Sequence, residues 1–183
     1  MRGCVSKAGD KLSPTIRRTL TSSLLQLITS AEDVTRGCAA GCLASLLPSL
    51  PEEELDPVLA EAVLADDPGL DWSIRHGRSA CLAVAMAQSP DTVTSHQDKL
   101  VKTILSQLAG DHVTIVTNGV RSAGYLILDF VRKGSPPPQE IVTPFLRSIN
   151  HSSNDVKVIS SSFSTLTYSE ALTHYVCRSW FLR

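Results

Sequence analysis

The chain has 183 residues and a formal net charge of −1, with 43% hydrophobic and 19% charged residues. Its length and apolar content allow a buried core and exclude a disordered chain. The near-neutral charge argues against a dominant nucleic-acid surface, which needs a strongly basic face, and the 5% aromatic content leaves Leu, Ala, Val and Ile to fill most of the core.

A spacing of about 40 residues recurs along the chain. Four short polar segments separate apolar helical patterns, and they align on Arg36, Arg75, Thr117 and Lys157, which are 39, 42 and 40 residues apart. A period near 40 with a helix on each side of every segment is typical of HEAT or armadillo-type repeats. The sequence therefore predicts an all-α fold, a HEAT/armadillo-type α-solenoid of about four helix pairs. Such arrays form elongated scaffolds rather than enclosing a catalytic pocket.

The first repeat is predicted over residues 14–50, after an N-terminal extension of residues 1–13. Apolar residues recur on one face of a helix that begins at about Pro14. Proline suits the first helical turn because its missing N–H would have no partner there. Asp33 is expected to be the N-cap of the second helix of this repeat.

The second repeat is predicted over residues 51–90. It opens with Pro51 and three glutamates, which suit the positive end of a helix dipole. An Asp-Asp-Pro-Gly breaker follows, and the partner helix is expected to start near Asp71.

The third repeat is predicted over residues 91–134. The dipeptide Asn118-Gly119 lies inside its second helix. In isolation that dipeptide would suggest a hairpin turn. The apolar spacing on both sides favours a helix with a weak point instead.

The fourth repeat is predicted over residues 137–159, and the pattern stops there. After Ile159 a run of Ser and Thr replaces the apolar stripe. These side chains compete with the helix for backbone hydrogen bonds. Residues 160–183 are therefore predicted to be a divergent, partly disordered tail.

The sequence contains no catalytic, cofactor-binding or metal-binding pattern. It has no glycine-rich phosphate loop, no HExxH and no G-x-S-x-G. The five cysteines form no CxxC pair and no cluster with histidine, so they are predicted to be small hydrophobic residues of a reduced cytosolic core. No apolar run approaches the ~18 residues that a membrane span needs, and no hydrophobic signal core is present. A cytoplasmic location without membrane contact is therefore expected.

The segment at residues 71–79 carries the most unusual side chains. Arg78 falls on the same helical face as Cys81, so its guanidinium must pair with a carboxylate or a carbonyl. One interpretation is a structural arginine that bridges neighbouring repeats. The other is a protein-binding edge, because Trp and Arg are favoured interface anchors. The candidate protein-binding residues are Trp72, Arg75, His76, Arg78 and Arg121.

The same segment contains the string Arg-His-Gly at residues 75–77. A phosphatase motif can begin in this way, but it needs the arginine and histidine in a loop after a strand. The apolar spacing here is helical, so an enzymatic function is the least favoured hypothesis.

Two strings in the chain are distinctive, Asp-Trp-Ser-Ile-Arg-His-Gly-Arg at residues 71–78 and Gly-Val-Arg-Ser-Ala-Gly-Tyr at residues 119–125. Both resemble the C-terminal HEAT-repeat region of the general control nonderepressible protein 1 family, which carries Gly-Val-Arg-Gly-x-Gly-Phe at the second string. The resemblance covers roughly residues 20–159 and does not extend into the tail.

That resemblance implies a non-enzymatic scaffold of translational control. The family consists of very large cytosolic HEAT-repeat proteins that associate with ribosomes and help to activate the kinase of the α subunit of initiation factor 2 during amino-acid starvation. They bind the RWD domain of that kinase through their C-terminal part. The implied partners are therefore an RWD-domain kinase and the ribosome, with no cofactor.

Two further expectations concern the extent and the role of the chain. It is far shorter than members of the family, which indicates a fragment, an isoform or the product of a misread gene. The alternative function is a generic HEAT-repeat protein-binding adaptor in transport or complex assembly, in which the resemblance reflects shared repeat physics.

Overall fold

The computed structural model describes the backbone of residues 11–65 and 67–181 and the side chains of residues 11–65 and 67–170. Within that part, every regular element is helical. The α-helices are α1 Pro14–Leu27, α2 Asp33–Leu46, α3 Glu52–Val58, α4 Trp72–Gln88, α5 Pro90–Thr94, α6 Gln97–Leu108, α7 Val113–Arg132, α8 Gln139–Arg147 and α9 Asn154–Phe181. Two short 3-10 turns, Leu47–Ser49 and Ser148–Asn150, and one π-helical turn, Leu59–Val63, lie between them.

The helices form four pairs that follow the repeat. The first helices of the pairs are α1, α3, α6 and α8, and the second helices are α2, α4, α7 and α9. The second helices pack side by side in chain order, α2 against α4, α4 against α7, and α7 against α9. The predicted all-α solenoid of about four helix pairs is thereby confirmed. None of the described helices is both long and apolar enough to cross a membrane.

A continuous aliphatic core joins the four pairs. Leu43, Leu82 and Leu126 of the second helices are fully buried, as are Ile104 and Ile141 of the first helices. Because burial of each such side chain stabilises the fold by about 1.5–3 kcal/mol, the core needs few aromatic residues.

Local signals set most of the helix starts. Pro14 occupies the first turn of α1, as predicted. Asp71 is the N-cap of α4, and its carboxylate accepts a hydrogen bond from the Ser73 backbone N–H at 2.8 Å. Hydrogen bonds from the Ser73 hydroxyl and from that N–H hold the pKa of Asp71 below its usual range. Asp33 was wrongly expected to cap α2, because the N-cap is Glu32, which makes no capping bond.

Helix α7 continues through Asn118 and Gly119, as the apolar spacing predicts. The dipeptide is not a weak point of the helix; it lies where α7 approaches its neighbours closely. A Cβ on Gly119 would lie 2.9 Å from the Cβ of Gln107 at the end of α6, so the glycine lets the two helices approach. The buried Asn118 donates from Nδ2 to the Ser79 hydroxyl of α4 at 3.1 Å. These two residues therefore fix the contacts of α7 with both α4 and α6.

The last helix does not end at Ile159. The backbone of α9 continues without a break from Asn154 to Phe181, past the residue where the repeat pattern of the sequence stops; residues 182 and 183 lie outside the described part, and the partly disordered tail stays a prediction. Ser160 is buried, and its hydroxyl donates to the Val156 carbonyl at 2.8 Å. The serines thus satisfy their hydroxyls on the helix's own carbonyls instead of breaking it.

Phe163 anchors α9 on α7. Its side chain is only 8% exposed, and its ring meets Tyr125 edge to face with centroids 4.7 Å apart. A Cβ on Gly124 would lie 2.4 Å from the Phe163 ring. The ring therefore occupies the space that the glycine leaves open. It adds a buried apolar contact in the segment where the apolar stripe of the earlier repeats is missing.

Candidate functional site

The beginnings of the four second helices lie along one side of the solenoid, which we call the second-helix edge. In or just before its first turns, each second helix presents an exposed aspartate and an exposed apolar side chain. These pairs are Asp33 with Val34, Asp71 with Trp72, Asp111 with Val113, and Asp155 with Val158. The apolar members are 42–71% exposed. A regular row of solvent-facing apolar groups on a rigid frame is a surface suited to protein contact.

Arg36 fastens this edge to the rest of the array. The residue is fully buried. Its guanidinium donates to the Ser30 and Ala31 carbonyls at 2.7 and 3.2 Å, to Asp33 Oδ1 at 2.7 Å and to His76 Nδ1 at 3.1 Å. The turn between α1 and α2 is thereby joined to α4 of the next repeat. The sequence pattern used this arginine only to align the repeats and did not predict its role. Asp33, three residues earlier, could have indicated an ion pair.

Trp72 stands at the centre of a column of cationic and aromatic groups. The Arg36 Cζ lies 5.3 Å from the centroid of the indole ring, a distance at which a cation–π attraction operates. The His112 ring stacks on the indole with centroids 4.4 Å apart and planes within 5°, and the His76 ring lies at 6.2 Å. Because His112 immediately precedes α7, this column links three successive repeats.

His76 is an acceptor in this column and must be neutral to act as one. Burial and the neighbouring Arg36 guanidinium lower the pKa of His76, and the Asp33 carboxylate, with Oδ1 3.4 Å from Nδ1, partly opposes them; His112 adds a smaller lowering. Protonation would place a hydrogen on Nδ1 and set the imidazolium against the guanidinium. The column is therefore sensitive to acid.

We expect the folded chain to lose stability as the pH falls below about 6.5, the ordinary value for histidine. Because the folded state lowers the pKa of His76, the unfolded state binds the proton more tightly, and the lost stability grows until the pH reaches the folded-state pKa. His76→Asn keeps an acceptor that does not titrate, so it should flatten this part of the profile. Urea unfolding between pH 5 and 7.5 measures it, and equal slopes for both proteins would contradict the assignment.

The other candidate residues of α4 lie elsewhere. Arg78 lies about 200° around the helix from His76, and its Nη1 reaches the Ala65 carbonyl at 3.4 Å. Among the described residues, its hydrogen-bond partner is a carbonyl within the same repeat, and this contact does not bridge neighbouring repeats. Arg75 Nη2 lies 3.9 Å from the position that a Cβ on Gly110 would take. It points to the α6–α7 turn, as Arg36 points to the α1–α2 turn.

Arg121 is an exposed residue of α7, and it lines the same groove as His76. The structure thus brings Trp72, His76 and Arg121 to the second-helix edge and leaves Arg78 outside it. His112 was missed at the sequence level because only the approach of neighbouring repeats places it on the indole.

The Arg-His-Gly string lies in the first half of α4 and has a packing explanation. A Cβ on Gly77 would lie 1.8 Å from the carbonyl oxygen of Ile28 at the end of α1, so the string requires glycine at that position. The Nδ1 atom of His76 accepts a hydrogen bond from Arg36 Nε. Among the side chains that the structure describes, no group of three or more His, Cys, Asp or Glu could hold a metal ion.

A protein-family model described as stalled ribosome sensor GCN1-like, HEAT repeats matches residues 1–179 of the chain. This range is longer than residues 20–159, where the sequence strings indicated a resemblance, and it includes the serine-rich segment of α9.

Curated relatives agree with that match. The chain is 34% identical over 163 residues to stalled ribosome sensor GCN1 of Homo sapiens and 32% identical over 163 residues to the Mus musculus protein, covering 87% of the chain in each case. It is 24% identical over 151 residues, 81% of the chain, to protein ILITYHIA of Arabidopsis thaliana. The chain spans only 6% of the length of each of these relatives. No solved structure gives a significant match.

Proposed function

We propose, because the chain belongs to the family of stalled ribosome sensor GCN1-like HEAT repeats, that it acts as a non-enzymatic scaffold in translational control. Its role in this proposal is to hold protein partners along the second-helix edge. Since the chain covers a small part of its relatives, their association with ribosomes is carried over as part of the proposal. The partners proposed are an RWD-domain kinase and the ribosome, and the location is the cytoplasm.

The exposure of a rigidly held tryptophan is the observation that carries this proposal. Trp72 is 46% exposed although His112 and Arg36 fix its ring. A fixed aromatic side chain loses little conformational entropy when a partner covers it, so that more of the contact energy appears as affinity. Tryptophan is also among the residues that most often dominate the energy of an interface.

The proposed binding surface includes Trp72, His76 and Arg121 directly. Arg75 and Arg78 are proposed to support this surface from outside it, since one points to the turn before α7 and the other holds the loop before α4. This division between contact residues and supporting residues is what mutagenesis should resolve.

Trp72→Ala is expected to reduce capture of the kinase RWD domain by the immobilised chain at least about tenfold, as loss of an interface anchor does. Leu146→Ala is the matched control, because Leu146 is also half-exposed but lies on α8, a first helix, and not in the first turns of a second helix. Thermal unfolding of both variants checks that the fold is kept. Equal losses in the two variants would rule out the second-helix edge as the partner surface.

Co-sedimentation with ribosomes is the parallel test of the translational role. Binding of the wild-type chain to the RWD domain or to ribosomes supports the proposal. Binding to neither contradicts it and favours the generic adaptor function.

A further inference from the structure

A groove opens on the second-helix edge beside the Trp72 column. Its volume is about 390 Å³, and it is lined by His76 of α4, by residues of the first three turns of α7 and by the first two turns of α9. Val113 and Val158 form its apolar walls, and both are substantially exposed. Asn118 and His76 contribute polar atoms to the lining. The groove is therefore amphipathic and large enough for a few side chains.

Arg121 gives the groove a guanidinium whose hydrogen-bond neighbour is a neutral side chain. Its Nη1 lies 3.5 Å from the Asn118 Oδ1 atom, a neutral acceptor. No carboxylate of the described residues forms an ion pair with it. A guanidinium binds a carboxylate through two parallel hydrogen bonds, which are stronger than bonds to a neutral amide. The complementary group for this position is therefore a carboxylate.

The surroundings of the groove argue against a nucleic acid as its occupant. Asp71, Asp111 and Asp155 are exposed in or just before the first turns of α4, α7 and α9, and Asp155 lines the groove itself. A chain of phosphates would be repelled by these carboxylates. A peptide with a single acid directed at Arg121 carries one negative charge and is repelled less than a chain of phosphates, and an aliphatic neighbour can cover the two valines.

We infer that this groove binds a short segment of a partner protein in which a carboxylate lies beside an aliphatic side chain. The carboxylate pairs with Arg121, and the aliphatic group packs between Val113 and Val158. This inference rests on the scaffold function proposed above and gives the chemistry of one contact within it.

Short capped peptides test the inference with the purified chain. The probes are Gly-Ser-Leu-Glu-Leu-Ser-Gly, the same peptide with Lys in place of Glu, and the same peptide with Ser in place of both leucines. Amide NMR shifts report weak binding, and the Glu-Leu peptide should move the amides of Thr117 and Ile159. The two altered peptides should each bind at least about tenfold more weakly, because one loses the charge-assisted bond and the other the apolar contact.

Arg121→Gln should weaken binding of the Glu-Leu peptide at least about tenfold. Arg147→Gln removes the same charge from the exposed last turn of α8 and should leave binding unchanged. Equal binding of the Glu and Lys peptides, an unaffected Arg121→Gln variant, shifts centred away from the groove, or no shift at millimolar peptide would each overturn the inference. If the peptides fail while the RWD domain or ribosomes still bind, only the groove assignment is wrong and the scaffold function stands.

Discussion

Gly77→Ala is expected to destabilise the chain by about 3 kcal/mol, at the upper end of the range for overpacking. The added Cβ would lie 1.8 Å from the Ile28 carbonyl oxygen and 2.9 Å from the Arg36 Cγ. The first of these atoms belongs to the backbone and cannot turn aside, so α4 must move away from the end of α1. That movement would also stretch the hydrogen bond between Arg36 and His76. Urea unfolding followed by circular dichroism measures the loss.

Gly37→Ala is the matched control within the same array. Apart from its chain neighbours and the backbone of its own helix, a Cβ at that position would have no atom within 4 Å, and the residue lies inside α2. The substitution should stabilise the chain by about 0.5–1 kcal/mol, because alanine loses less conformational freedom than glycine in a helix. If both variants change stability by the same amount, the close approach of α4 to α1 does not exist in solution.

Arg36→Met is expected to destabilise the chain by about 3 kcal/mol. The methionine keeps an apolar stem but lacks the guanidinium, so the four hydrogen-bonded partners of that group lose it. The carbonyls of Ser30 and Ala31 then lose their donor. Asp33 is largely exposed and can return to water, which keeps the loss below that of a fully buried ion pair.

One further variant separates charge from geometry at position 36, and a variant of an exposed arginine is the control. Arg36→Lys keeps the charge but cannot supply the planar set of donors, so it should lose most of the same stability. Arg121→Met removes an exposed arginine and should change stability by less than about 0.5 kcal/mol. If Arg36→Met also changed the free energy of unfolding by less than that amount, the buried arginine would not hold the repeats together. Comparison of the m values would show whether the denatured states differ.

The contrast between Arg36 and Arg78 shows how much of the candidate site can be predicted from the sequence. Both arginines lie on second helices close to apolar positions, and periodicity selected Arg78 as the one that needed a partner. In the structure Arg36 is fully buried, and Arg78 donates to the Ala65 carbonyl of its own repeat. Periodicity reports which face of a helix turns inward, but the partners across repeats depend on how closely the helices approach.

The comparison of α7 and α9 leads to the same conclusion for the fold. The unbroken α7 could be predicted because its apolar spacing spans Asn118 and Gly119. The continuation of α9 could not, because the serine-rich segment weakens the local helical pattern, whereas the contacts that hold this segment, such as Phe163 against Gly124, lie between helices. Tertiary packing thus outweighed local propensity, as it does for most helices in proteins.

By itself the sequence determined the all-α class, the period near 40 residues, the order of the helix pairs and the helix starts at Pro14 and near Asp71, because these follow from local periodicity and from the chemistry of helix ends. Only the tertiary structure decided that Arg36 is fully buried, that His112 stacks on Trp72, and that some glycines lie where a Cβ would clash with a neighbouring helix. The physical reason is distance, since each of these depends on atoms that belong to neighbouring repeats. Their positions are fixed only when the helices pack.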